Sequence, residues 1–172
     1  MSPQSRRKNA VITELLLKKP HEYRFFQAVR LLERAVLFDG SSAISSNSTV
    51  ATCNPIGLFV PPSTEVLRFK TRTSLSFPKN EIFSITRTEH ETSKNPWEMQ
   101  VNFLSLAGSM GVLPYHYTEL ILQRLKQKDE SLIQFLDMFN HRTLSLFYQA
   151  GTKYSLPIEY ERRKLNSHSK KS

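Results

Sequence analysis

The strongest periodic pattern in the sequence lies between residues 131 and 150. Apolar side chains recur there at intervals of three and four residues and fall within an arc of about 120° at 3.6 residues per turn. This pattern predicts one long amphipathic helix, roughly 30 Å in length at 1.5 Å per residue. On its polar face, Asp137, His141 and Ser145 are spaced i, i+4, i+8, and we expect this row to face solvent or a partner. The apolar positions are Leu132, Phe135, Leu136, Phe139, Thr143, Leu146, Phe147 and Ala150.

Three further helices are predicted from similar signals. A short helix over residues 9–19 should stop near Pro20, because proline disfavours helical geometry in the residue before it. Residues 21–37 carry a second apolar stripe, and residues 114–126 follow Pro114, which suits a first helical position. The stripe of the 21–37 helix consists of Phe25, Ala28, Val29, Leu32, Ala35 and Val36.

The middle of the chain alternates apolar and polar residues as strands do. Four stretches are strand candidates, namely 66–71, 74–77, 81–86 and 99–105. The chain has only five glycines, which argues against a many-turned all-β fold. We therefore predict an α+β domain over residues 9–157, with N- and C-terminal amphipathic helices packed around a small antiparallel sheet.

The segments outside these elements differ in composition. Residues 1–8 and 158–172 hold most of the basic excess behind the net charge of +9, and we expect both to be disordered polar tails. Residues 41–65 form a long Ser/Thr-rich connector with an apolar docking piece at 56–60. Cys53 is the only cysteine, which excludes an intramolecular disulfide and favours a reducing, cytoplasmic location. No segment approaches the ~20 apolar residues that span a bilayer.

Three patterns suggest chemistry, and all are weak. Ser109 lies in Ala107-Gly-Ser-Met-Gly111, a degenerate nucleophile elbow that would need Asp137 and His141 as triad partners. The row of Asp137, His141 and Ser145 on one helix face offers no cleft or oxyanion donors of its own. Gly108-Ser-Met-Gly111 also matches the Gly-x-x-Gly clamp of RNA-binding modules, although the loop has no basic side chain. The histidines and the cysteine lack metal-site spacing, so we expect no enzyme activity, no cofactor and no metal.

Several segments in sequence carry a more specific signal. Together, and with their spacing, they resemble TssG, a baseplate subunit of type VI secretion systems, in its N-terminal part; family members continue well past Tyr154. The segments are Phe25-Phe-Gln-Ala-Val-Arg-Leu-Leu-Glu33, Leu67-Arg-Phe69, Ser74-Leu-Ser-Phe-Pro78, Val101-Asn-Phe-Leu-Ser-Leu-Ala-Gly108, Gly111-Val-Leu-Pro-Tyr-His-Tyr-Thr-Glu119, Phe135-Leu-Asp-Met-Phe-Asn-His-Arg142 and Ser145-Leu-Phe-Tyr148.

The resemblance implies a non-catalytic structural role. TssG joins two copies of TssF in a baseplate wedge, the TssK adaptor connects the wedge to the membrane complex, and wedges assemble around the spike hub. It implies a cytoplasmic protein recruited to the inner membrane, with no nucleic acid partner and no membrane insertion. Two alternatives stay open, an RNA-binding module that uses the basic termini and a serine hydrolase built on Ser109.

Candidate partner contacts come from the helical faces. Phe26 lies about 100° off the apolar stripe of its helix at 3.6 residues per turn, so a partner could cover it. The predicted helices over 21–37 and 131–150 also carry polar candidates. The complete candidate set is Phe26, Arg30, Arg34, Asp137, His141 and Tyr148.

Overall fold

The computed structural model describes residues 12–40, 54–58, 60, 61, 64–87 and 97–160, with the backbone alone for 36–40. Helix α1 covers residues 12–18, and a 3₁₀ turn at Pro20–Glu22 separates it from α2, Phe25–Gly40. The predicted stop near Pro20 is confirmed, whereas the second helix begins at Phe25, four residues later than expected. The tail at 1–8 and most of the connector lie outside the described residues.

The sheet has three strands in the order β1-β3-β2. They are β1 at Leu67–Thr71, β2 at Ile82–Arg87 and β3 at Trp97–Val101. Strands β2 and β3 pair antiparallel, but β1 and β3 pair parallel, with Phe69 opposite Met99. The α+β class is confirmed, and the expected all-antiparallel sheet was wrong because the sheet is mixed. Alternation reveals which side chains share a face, but strand direction depends on the connections.

The strand expected at residues 74–77 does not form. The Ser76 N–H bonds the Ser74 hydroxyl at 3.2 Å, and the two hydroxyls lie 2.7 Å apart. Such local side-chain bonds compete with strand pairing and stabilise a loop instead. The strand expected at 99–105 is shorter at its end, because β3 stops at Val101. The next residue, Asn102, donates its N–H to the carbonyl of Glu81.

The C-terminal third is helical, as predicted. Helix α3 covers Tyr115–Lys126 and α4 covers Ser131–Thr152. A short helix α5 at residues 156–160 was not predicted and includes the first three residues of the expected tail at 158–172, the rest of which lies outside the described residues. Asp129 accepts the N–H of Ser131 at 3.0 Å just before α4. Hydrogen bonds from the Ser131 hydroxyl and backbone hold the pKa of Asp129 below its usual value. This acidic side chain, two residues before the first residue of α4, therefore stabilises the start of the helix.

The core lies between α2 and one face of the sheet and also takes in part of α4. Phe25 is at its centre, with ring centroids 5.5 Å from Phe69 and 5.0 Å from Phe103. Ile56, from the predicted docking piece of the connector, is fully buried in the same cluster. The core thus unites distant parts of the chain. Its fully buried members include Leu16, Val29, Leu32, Val66, Leu67, Met99, Val101, Leu144 and Tyr148.

Gly111 follows a tight loop that leaves no room for a side chain. A Cβ there would lie 2.7 Å from the Ala107 backbone and from the Leu106 carbonyl oxygen. We expect Gly111→Ala to lower the free energy of unfolding by about 1–3 kcal/mol, because backbone atoms cannot give way as side chains can. Chemical denaturation measures this loss.

Gly151→Ala is the matched control. The three atoms nearest to the added Cβ would belong to the ring of Phe26, which would have to shift, and this side chain is 36% exposed and has solvent to move toward. Alanine also favours the helix by up to about 1 kcal/mol over glycine. A Gly111→Ala variant as stable as the wild type would show that the loop before Gly111 is not packed in this way.

Candidate functional site

Helix α4 lies along the edge of the sheet and turns polar side chains toward it. Among the described strands β1 is an edge strand, so alternate N–H groups along it have no strand partner. Two of them donate to α4 side chains instead. The Phe69 N–H bonds Nδ1 of His141, and the Thr71 N–H bonds Oδ1 of Asp137, each at 3.1 Å. The helix therefore takes the place of a further strand.

Asp137 is the centre of the first half of this network. Its Oδ1 also accepts the Thr71 hydroxyl at 2.8 Å and the side-chain amide of Asn140 at 3.3 Å. The side-chain Oδ1 of Asn140 accepts the N–H of Leu106 at 3.1 Å. Asp137 and Asn140 are buried, with 7% and 5% of their surface exposed. One end of α4 is thereby fixed to β1 and to the loop after β3.

His141 is the centre of the second half. Because its Nδ1 accepts a backbone N–H, the ring proton lies on Nε2, which donates to Oε2 of Glu65 at 3.0 Å. The other oxygen of Glu65 accepts the N–H of Gly57 at 3.2 Å. The side chains of His141 and Glu65 are each 2% exposed. This pair joins α4 to the end of the connector.

A third acidic residue extends the network to α2. Glu33 accepts the N–H of Ile56 and the hydroxyl of Tyr148, each at 3.0 Å. Buried polar groups are costly unless they are hydrogen-bonded, so this network favours one orientation of α4 over others. Sequence reasoning missed Glu33, Glu65 and Asn140. The available signal was an acid beside each of two apolar stretches and the i, i+3, i+4 spacing of Asp137, Asn140 and His141.

The buried polar row leaves the aromatic stripe of α4 facing outward. We call the exposed side chains Phe135, Met138, Phe139, Leu146 and Phe147 the outer face of α4; they are 42–55% exposed. Phe135 and Phe139 make an edge-to-face pair with ring centroids 5.2 Å apart. Phe26 extends the surface from α2, with its ring centroid 5.4 Å from that of Phe147. The described structure therefore presents large apolar side chains along one face of α4, with Arg142 and Thr143 between Phe139 and Leu146.

The candidate contact residues divide into two groups. Phe26 and Arg34 are exposed and Arg30 is half-buried. Asp137, His141 and Tyr148 are buried and bonded within the chain, which corrects the expectation of a solvent- or partner-facing row. Their bonding partners come from β1, the connector and α2, so the helix sequence alone could not reveal that they point inward.

The described residues do not form the catalytic triad or the RNA clamp that the motifs suggested. Ser145 donates its hydroxyl to the backbone carbonyl of His141, and both ring nitrogens of that histidine are occupied. Ser109 is exposed and donates to the carbonyl of Ser76. In the Gly-x-x-Gly loop, the N–H groups of Gly108, Ser109 and Gly111 all donate within the chain. No metal-binding group of His, Cys, Asp or Glu occurs among the described residues.

Comparison with known proteins gives one match. A family model described as "Type VI secretion, TssG" matches residues 19–171. No curated protein and no solved structure matches the chain. Among the described residues no helix is both long enough and apolar enough to span a membrane.

Removing Asp137 should show how far the fold depends on the buried network. Asp137→Ala leaves the Thr71 N–H and hydroxyl without their acceptor, and we expect a loss of about 2–3 kcal/mol in unfolding free energy. Asp137→Asn keeps an Oδ1 acceptor, so its loss should be at most about 1 kcal/mol. Chemical denaturation of both variants measures the difference. A harmless Asp137→Ala would mean that α4 does not face the sheet with this row.

Proposed function

This chain belongs to the TssG family of type VI secretion, a family of structural baseplate components, and from that premise we propose that it joins TssF-like subunits to the TssK adaptor without catalysing a reaction. In this role it binds two TssF copies in a wedge that contacts the spike hub. The assembly is cytoplasmic and is recruited to the baseplate at the inner membrane. It requires no cofactor and no nucleic acid.

The observation that carries this proposal is the outer face of α4. Five large apolar side chains are about half exposed along one helix, which corresponds to on the order of 500 Å² of apolar surface. Contiguous patches of this size on a soluble protein usually mark an interaction site. Anchors at positions i, i+3 and i+4, here Phe135, Met138 and Phe139, suit a helix that lies in the groove of a partner.

The charges on α4 support a protein partner. In the whole of Ser131–Thr152 the charged side chains are Asp137 and Arg142, and Asp137 is buried. The outer face therefore carries no acidic side chain and one arginine, Arg142, which is half-buried between Phe139 and Leu146. Protein interfaces are likewise poor in Asp, Glu and Lys and enriched in Arg and aromatic residues. Arg34 is exposed on α2, the helix that also supplies Phe26, and fits the more polar rim.

The buried candidates act indirectly in this proposal. Asp137, His141 and Tyr148 hold the helix with its apolar face outward, while Phe26, Arg30 and Arg34 remain proposed contacts. Phe26 is a poor first test, since its ring also packs on Phe25 and Tyr148. A substitution there would mix effects on folding with effects on binding.

Co-purification with the TssF-like subunit is the direct test. We expect the double variant Phe135→Glu/Phe139→Glu to recover at least tenfold less TssF, because two carboxylates would be buried without partners. Its melting temperature should change little, since both rings are about half exposed and surface substitutions usually shift stability by about 0.5 kcal/mol or less. Val112→Glu, at a side chain 82% exposed outside α4, is the matched control and should bind normally.

Two outcomes would contradict the proposal. Unchanged TssF recovery by the folded double variant would exclude the outer face of α4 as the contact. A wild-type chain that recovers neither TssF nor TssK would overturn the assembly role itself.

A further inference from the structure

A second surface lies between the loop that follows β1 and the loop that follows β3. No described residue of α4 lines it. It is a cleft of about 390 Å³ with one wall from residues 72–80 and another from 105–110. The buried side chains of Ile82 and Ser105 contribute to its lining. Its volume is within the range of about 300–1,000 Å³ typical of ligand clefts.

The cleft is electropositive. Arg72 and Lys79 line it, and none of its described lining residues is Asp or Glu. The guanidinium of Arg72 lies 3.9 Å from the ring centroid of Phe83, which orients it. Within the part of the chain that the structure describes, neither Arg72 nor Lys79 forms a salt bridge. Two cations therefore line one concave site that has no carboxylate among its described lining residues.

The two walls are held together by hydrogen bonds. The Ser109 N–H donates to the Ser74 carbonyl at 3.0 Å, and the Ser109 hydroxyl donates to the Ser76 carbonyl at 3.1 Å. The Gly108 N–H donates to the Thr118 hydroxyl at 3.1 Å, which ties the second wall to α3. A cleft that is fixed before binding loses less conformational entropy when a ligand enters. The Gly-Ser-Met-Gly loop thus forms part of a shaped cleft.

Exposed apolar side chains stand beside the cations. Phe77 is 79% exposed and Met110 is 46% exposed, and both line the cleft. We propose that this cleft binds a short acidic segment of a partner protein, with carboxylates at Arg72 and Lys79 and an apolar side chain against Phe77 and Met110. The proposal goes beyond the assembly role of α4, because it assigns a separate surface and a different chemistry of recognition.

A nucleic acid strand is the main rival occupant, and the site suits it less well. Arg72 already covers one face of the Phe83 ring, which removes a face on which a base would stack. The described lining includes only two strongly basic side chains, whereas binding along a phosphate backbone uses many. Apolar side chains and two cations in the same cleft fit alternating acidic and apolar residues of a peptide.

The test uses the full chain and labelled pentapeptides in which Asp or Glu alternates with Leu or Phe. Fluorescence anisotropy should give dissociation constants tighter than about 1 mM for members of this set. Matched peptides with Asn and Gln in place of the acids, or Ala in place of the apolar residues, should bind at least tenfold more weakly. A uridine hexanucleotide tests the nucleic acid alternative.

Variants of the chain locate the site. Arg72→Gln/Lys79→Gln should weaken binding at least tenfold, whereas Lys18→Gln/Lys126→Gln, an equal loss of charge outside the cleft, should change it less than twofold. Phe77→Ala should also weaken binding, and its high exposure means that the fold tolerates it. The proposal is wrong if no acidic peptide binds, if the cleft variants bind as wild type does, or if the hexanucleotide binds more tightly and is lost in the same variants. Those results leave the α4 proposal intact, since co-purification tests it separately.

Discussion

Two backbone N–H groups on the open edge of β1 determine which way α4 faces. An edge strand presents unpaired donors that natural proteins pair or cover. Here His141 and Asp137 accept the donors of Phe69 and Thr71. A buried donor left without an acceptor costs about 1–3 kcal/mol. Turning the polar row away from the sheet would therefore raise the free energy of the folded chain by about that amount for each donor. The rest of the network, through Glu65 and Glu33, extends this constraint to the connector and α2.

The outward aromatic face of α4 follows from that constraint. Protein interfaces of standard size bury about 800 Å² on each partner. The outer face alone, at about 500 Å², is smaller than that, so a stable complex needs further contacts such as Phe26. This requirement suits a subunit held by several neighbours in one assembly, which is the role proposed for this member of the TssG family.

The sequence was informative about elements and less so about their orientation. Periodicity located α4 to within two residues of its end and identified the apolar stripe, yet it could not tell which face turns inward. The partners of Asp137 and His141 lie 66 and 72 residues away on β1, and a helical pattern carries no information about them. The direction of the strands could not be predicted for a similar reason. Strand β3 lies between β1 and β2, and the alternation within each strand does not reveal this order. Resemblance to TssG supplied the family, which residue chemistry alone did not.

Amide hydrogen exchange of the isolated chain tests the central claim most directly. If α4 covers the edge of β1 as described, the N–H groups of Phe69 and Thr71 should be protected to a degree similar to the N–H of Lys70, which lies on the side of β1 that pairs with β3. Asp137→Ala should raise the exchange rate of Thr71 more than that of Lys70. Exchange of Phe69 and Thr71 at the rate of an open edge strand, with Lys70 protected, would contradict the account.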